Sequence, residues 1–109
     1  MTDTEKIQTL KVLLGIPDGD ESEDTRLTTF LQIAKNEILA WRYSNSQRTV
    51  TEVPARYEMT QIYAVLEGFS QIGAEGEIAH TEDKVHREFK REDMIAYIRT
   101  HVTQIVRVL

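Results

Sequence analysis

For most of its length the chain places apolar residues in helical stripes separated by polar breaks. Between about residues 4 and 14, Ile7, Leu10 and Leu14 recur on one helical face with Leu13 beside them, which predicts a short amphipathic helix. Thr2 and Glu5 have the spacing of a capping box, and Gly15 supplies the stop. Ile16-Pro17-Asp18-Gly19-Asp20 reads as a turn, because proline presets the backbone and glycine tolerates positive φ. Ser22 is placed to cap a second helix with Glu23 and Asp24 in its first turn. Its stripe is Leu27, Phe30, Leu31, Ala34, Ile38 and Trp41, with Ile33 and Leu39 off it. A helix apolar on more than one side needs more than one neighbour. Residues 42–48 have the polar composition of a loop. Val53-Pro54 opens a third helix, which carries Met59, Ile62, Tyr63, Leu66 and Phe69 and ends at Gly73. Gly68 inside it costs about 1 kcal/mol relative to alanine, and close packing of another backbone is one reason to retain it.

Between residues 74 and 90 the period changes. Ile78 and His80, then Val85, Arg87 and Phe89, alternate around Thr81-Glu82-Asp83-Lys84, which predicts a small β-hairpin or an extended arm. From Arg91 a last helix carries Met94, Ile95, Ile98, Val102, Ile105, Val106 and Leu109, an apolar end docked on the core or on a neighbouring subunit. The expected fold is mainly α: a small bundle of about four helices with the hairpin or arm before the last. The 109 residues, 40% of them hydrophobic, are expected to form one domain spanning 1–109, since two cores would each be too small.

Charge changes this picture at one end. The net charge is −5, and residues 1–24 hold seven acidic side chains against Lys6 and Lys11. The remainder balances, although residues 84–109 are mildly basic through Lys84, Arg87, Lys90, Arg91, Arg99 and Arg107. No broad basic footprint for tight nucleic-acid binding emerges. The basic end reads as the complement of the acidic one, so that neighbouring copies could meet head to tail. There are no cysteines, which removes disulfides, thiol catalysis and cysteine zinc sites and fits assembly in a reducing cytoplasm. No apolar run approaches membrane-spanning length, and the acidic N-terminus is not a signal peptide.

Candidate chemistry is sparse. Asp18, Asp20, Ser22 and Asp24 alternate like a calcium loop, but Glu23 and Thr29 occupy the positions that need glycine and glutamate. His80, His86 and His101 form no zinc pattern, and Gly68, Gly73 and Gly76 make no phosphate loop. Ser70 lies in no nucleophile elbow, and no carboxylate pair sits in an apolar setting. The expectation is a protein that is not an enzyme, with no catalytic residue, cofactor or metal.

Order and spacing carry one resemblance. Leu10-Lys11-Val12-Leu13-Leu14-Gly15-Ile16 precedes an acidic turn, and a long helix follows with Ile-Ala-Lys-Asn-Glu-Ile at its centre (33–38). Val53-Pro54 opens the third helix, Gly73-Ala74-Glu75-Gly76 closes it, and a polar segment leads to a last helix. Over nearly its full length the chain resembles phage head–tail connector proteins, also called head-completion or adaptor proteins. It departs from them where members often carry a Ser- and Gly-rich hairpin, having Ile78-Ala79-His80-Thr81-Glu82-Asp83-Lys84 instead.

The resemblance implies a structural virion component of the neck, assembled in the host cytoplasm. It would dock on the portal and form a ring of about twelve copies that passes DNA without holding it tightly. Other neck or tail-completion proteins would be further partners. The residues expected at the subunit or portal interface are Ile78, Val85, Phe89, Arg91, Ile98, Val102, Ile105, Arg107 and Leu109. Asp18, Asp20, Glu21, Glu23 and Asp24 are expected to form an acidic edge or lumen lining. On this reading the first three helices stay folded without the segments that follow. The alternative is a small helical nucleic-acid-binding regulator using the basic C-terminal end.

Overall fold

A computed structural model describes residues 1–44, 50–74 and 89–105. Within them the chain forms α1 (Asp3–Leu14), α2 (Asp24–Arg42), a single 3-10 turn (Ala55–Tyr57) that runs into α3 (Glu58–Ala74), and α4 (Arg91–His101). The mainly helical, four-helix bundle expected from the sequence is what is observed. Among the described residues there is no strand. The anticipated hairpin falls on residues 75–88, which lie outside the described residues. At its flanks, Ala74 belongs to α3, and Phe89 and Lys90 lead into α4.

Local chemistry sets the helix ends. Thr2 accepts from the Glu5 amide while the Glu5 carboxylate accepts from the Thr2 amide, a complete capping box. Gly15, with φ 78°, closes α1 in the left-handed conformation that glycine adopts freely. The start of α2 differs from expectation. Glu23, not Ser22, is the N-cap, and it makes no side-chain capping bond. The Ser22 hydroxyl and amide both donate to Asp20 Oδ1, at 2.7 and 2.9 Å, so the loop captures the serine before the helix can use it. Pro54 sits one residue ahead of the 3-10 turn, extended at φ −57° and ψ 145°, rather than inside the first helical turn.

The core is shared by all four helices. Leu10 from α1, Leu27, Leu31, Ala34 and Ile38 from α2, Ile62, Ala64, Val65 and Phe69 from α3, and Met94 and Ile98 from α4 are buried together. Each of α1 and α4 packs on both α2 and α3 and hardly on the other, so the two lie diagonally across the bundle. Two consequences bear on the reading from periodicity. First, of the two places where the last apolar stripe could dock, the core takes Met94 and Ile98 of α4, both fully buried. Second, Met59 and Tyr63 point outward, and the inward face of α3 is Gln61, Ile62, Ala64, Val65, Gly68 and Phe69.

Gly68 is held by a ring and a backbone at once. A Cβ there would stand 2.7 Å from Phe89 Cζ and 2.8 Å from Cδ1, closer than carbon atoms approach. The Lys90 amide donates to the Gly68 carbonyl at 2.8 Å, so the start of α4 is tied to the middle of α3. Phe89 stacks on Phe30 with centroids 3.8 Å apart and meets Phe69 edge-on at 5.0 Å. The Arg26 guanidinium lies over Phe30 and Phe69. This cluster joins α2, α3 and α4 at one end of the bundle.

The interior also contains polar groups that helical periodicity would have put outside. Lys6 and Lys11 of α1 are only 5% and 4% exposed. Lys6 Nζ donates to Gln61 Oε1 at 2.6 Å, and Gln61 Nε2 donates to the Leu31 carbonyl at 2.8 Å, a relay joining α1, α3 and α2. Lys11 Nζ pairs with Asp24 Oδ1 at 2.7 Å, fixing the end of α1 to the start of α2. Long aliphatic stems let lysines cross apolar surface, and the satisfied ammonium heads make the burial tolerable.

After α4 the chain is strapped to the end of α2. Trp41 Nε1 donates to the Val102 carbonyl, Arg42 Nη1 to the Thr103 carbonyl and the Ile105 amide to the Arg42 carbonyl, at 2.8–2.9 Å.

Candidate interaction surfaces

The acidic loop does two different jobs. Asp24 is committed to Lys11, and Glu23 pairs with Arg26 at 3.4 Å. Asp20 organises the turn; the Ser22 hydroxyl and amide, aided by Lys11, hold its carboxyl below the ordinary aspartate value. Asp18 accepts from the Gln8 side chain, which places it against the outer face of α1. Glu21 is exposed. Of the five acids expected to act together, only Asp18 and Glu21 are therefore presented outward, while Asp24 ties α1 to α2 and Glu23 pairs within the first turn of α2.

The residues expected at an interface through the C-terminal half separate just as clearly. Ile98 is fully buried and Val102 is 3% exposed, so both serve the chain's own core; their stripe faces inward because α4 has α2 and α3 beneath it. Phe89 is half-buried in the aromatic cluster. Arg91 is exposed and reaches Glu37 at 3.2 Å, and Ile105 is half-buried beside the end of α2. Ile78, Val85, Arg107 and Leu109 lie outside the described residues.

Other side chains are apolar and outward. Val12 is 70% exposed, Leu13 47%, Tyr63 43% and Met59 39%. On α1 the arrangement is inverted, with two lysines inward and these two aliphatics outward. The signal in the sequence was the interruption of the Ile7-Leu10-Leu14 stripe by Val12 and Leu13, which no single helical face can contain. Neighbouring α3 and α4 leave an open depression of about 260 Å³ lined by Glu67, Asp93, Ala96, Tyr97, Thr100 and His101. His101 stacks on Tyr97 with ring centroids 3.9 Å apart, and its Nδ1 lies 2.9 Å from the Tyr97 carbonyl. The ring is thus packed against its own helix, not poised as a base for a nucleophile. Among the described residues, no group of three or more histidine and carboxylate side chains is placed to hold a metal ion.

Two tyrosines report on these packings. Burial works against ionising Tyr57, but the Thr103 amide and the Arg42 guanidinium outweigh it and hold the phenol below the ordinary tyrosine value. Burial, then Glu67 and Tyr63, push Tyr97 up. An ultraviolet absorbance titration is expected to show Tyr57 ionising before Tyr97. Tyr57→Phe should delete the earlier component and Tyr97→Phe the later; the reverse order of loss would show the packing to be misassigned.

Residues 4–101 match the sequence pattern of the phage gp6-like head-tail connector protein family. No curated protein and no solved structure matches the chain. No described helix is long and apolar enough to cross a membrane.

Proposed function

From the premise that this chain belongs to the phage gp6-like head–tail connector family, structural virion components that contact other head and tail proteins rather than a class of enzymes, we propose that it docks on the portal and forms a ring there. DNA would pass through that ring between head and tail. The observation that carries the proposal is the set of outward aliphatic and aromatic side chains on two separate elements, Val12 and Leu13 on α1 and Met59 and Tyr63 on α3. A small domain that leaves large apolar groups uncovered on more than one side is suited to having more than one neighbour. Ring closure needs this, because each copy offers one surface and receives on another. In the acidic loop, Asp18 and Glu21 remain outward, where a neighbouring copy can meet them.

A nucleic-acid regulator would need clustered free cations. The described part of the basic end offers Lys90, Arg91 and Arg99 with Glu92 and Asp93 among them, which is not the broad basic footprint that tight phosphate binding requires. The adaptor role is tested by mixing the purified chain with portal rings and measuring mass by native mass spectrometry or microscopy. The expected result is a complex carrying a ring of copies. Free portal and free chain at concentrations well above micromolar would refute the role.

A further inference from the structure

Two surfaces on diagonal elements of the bundle complement each other. The first is the outer edge of α1. Gln8 and Val12 are one helical turn apart, and Gln8 holds Asp18, so the exposed Val12 lies on the side of α1 that carries the Asp18 carboxylate; exposed Leu13 follows Val12 around the helix, and Glu21 is farther along the same loop. This edge is apolar and negative. The second is a strip at the α2–α4 seam. Arg91, Ile95 and Arg99 are spaced by four along α4, and Glu37 and Trp41 by four along α2. The rows meet where Arg91 pairs with Glu37 and where the Arg99 guanidinium covers the Trp41 ring at 5.1 Å. Arg91 is 60% exposed and Glu37 25%, so the guanidinium fronts the carboxylate; Glu92 nearby is offset by exposed Lys90. This strip is apolar and positive.

Resting on the ring reading above, we infer that the α1 edge of one copy, Val12 and Leu13 with Asp18 and Glu21, seats on the strip of a second copy, Ile95 and Trp41 with Arg91 and Arg99. The two surfaces are different patches of one chain, so the contact is heterologous and repeats from copy to copy. Opposite charges around the apolar centre set register and exclude the like-with-like pairings of edge on edge and strip on strip.

The absence of native cysteine makes the contact readable by a single engineered disulfide. The variant carrying both Leu13→Cys and Ile95→Cys is assembled on portal rings and oxidised. A non-reducing gel should then show a ladder of covalent dimers, trimers and higher species. The two single variants, mixed, should stop at dimers. Adding Asp18→Arg and Glu21→Arg should remove the ladder, and further adding Arg91→Glu and Arg99→Glu should restore it. Circular dichroism of each variant confirms that the helices persist. Assembly on portals without a ladder would overturn the pairing and leave the ring reading standing. Failure of the unmodified chain to assemble at all would sink both. A ladder indifferent to charge reversal would also overturn the pairing as described, since the charges would then not define the contact.

Discussion

Replacing Gln61 with leucine is expected to destabilise the chain by about 3 kcal/mol, more than most single changes of similar volume. The cost comes less from Gln61 itself than from what it leaves behind. Lys6 is 5% exposed, and its ammonium donates a hydrogen bond to Gln61 Oε1 at 2.6 Å. Leucine at position 61 offers no acceptor, so the charge must stay buried without its partner or drag α1 away from α3. The companion variant, Lys6→Met, removes the charge and leaves only a neutral amide with one unmet acceptor, for a loss of about 1 kcal/mol. Combining the two should recover most of the stability lost in Gln61→Leu, since nothing polar remains to be satisfied on that side of the relay. Denaturant midpoints at unchanged slope measure all three. A double variant as weak as Gln61→Leu alone would show that the relay does not act as a unit.

Gly68→Ala is expected to change sign with its surroundings. In the native chain the added methyl meets the Phe89 ring, which stacks on Phe30 and abuts Phe69 and so cannot swing aside cheaply. Overpacking of this kind outweighs the better helix propensity of alanine and leaves a net loss of about 1–2 kcal/mol. Phe89→Ala by itself should cost about 2 kcal/mol, less than for a fully buried ring because Phe89 is half-buried. In that background the clash is gone, and Gly68→Ala should stabilise by up to about 1 kcal/mol. Thermal or denaturant melts of the four proteins close the cycle. A loss of equal size with and without the ring would place the role of Gly68 in the backbone, at the 2.8 Å bond from the Lys90 amide.

These two sites mark where the amino-acid pattern ran out of information. Helix α1 was legible almost to the residue, because a capping box and a left-handed glycine are local devices whose geometry depends on a few neighbours. The second helix was legible from its stripe, and the inference that it needs several neighbours matches its packing against α1, α3 and α4. What could not be read was which side of a helix another helix would cover. Lys6 and Lys11 look outward by polarity, yet Gln61 and Asp24, from distant parts of the chain, draw them in. Met59 and Tyr63 look inward by period, yet the space inside α3 is filled by Ile62, Val65 and Phe69. Ser22 failed as a cap because a competing acceptor, Asp20, sits two residues away.

The candidate surfaces followed the same logic. The resemblance sends Ile98 and Val102 to an interface, whereas the chain's own core takes both. The five acids of the first loop are neighbours in sequence, yet Asp24 pairs across to Lys11, Glu23 pairs locally with Arg26, Asp20 holds the turn, and Asp18 and Glu21 face out. The resemblance to connector proteins gave the role, but only the packing gave the outward aliphatics of α1.

The strap after α4 bears on how such a chain tolerates drift. Its bonds from Trp41, Arg42 and the Ile105 amide run to peptide oxygens, so they do not depend on the identity at 103, while the Gln104 side chain adds a bond of its own to Ser44 Oγ at 2.6 Å. Substitutions at 103 should accumulate freely among related chains, whereas losing the indole or the guanidinium would loosen residues 102–105 from the end of α2. A segment anchored in this way can acquire new side chains for new neighbours while the body that carries it keeps its shape.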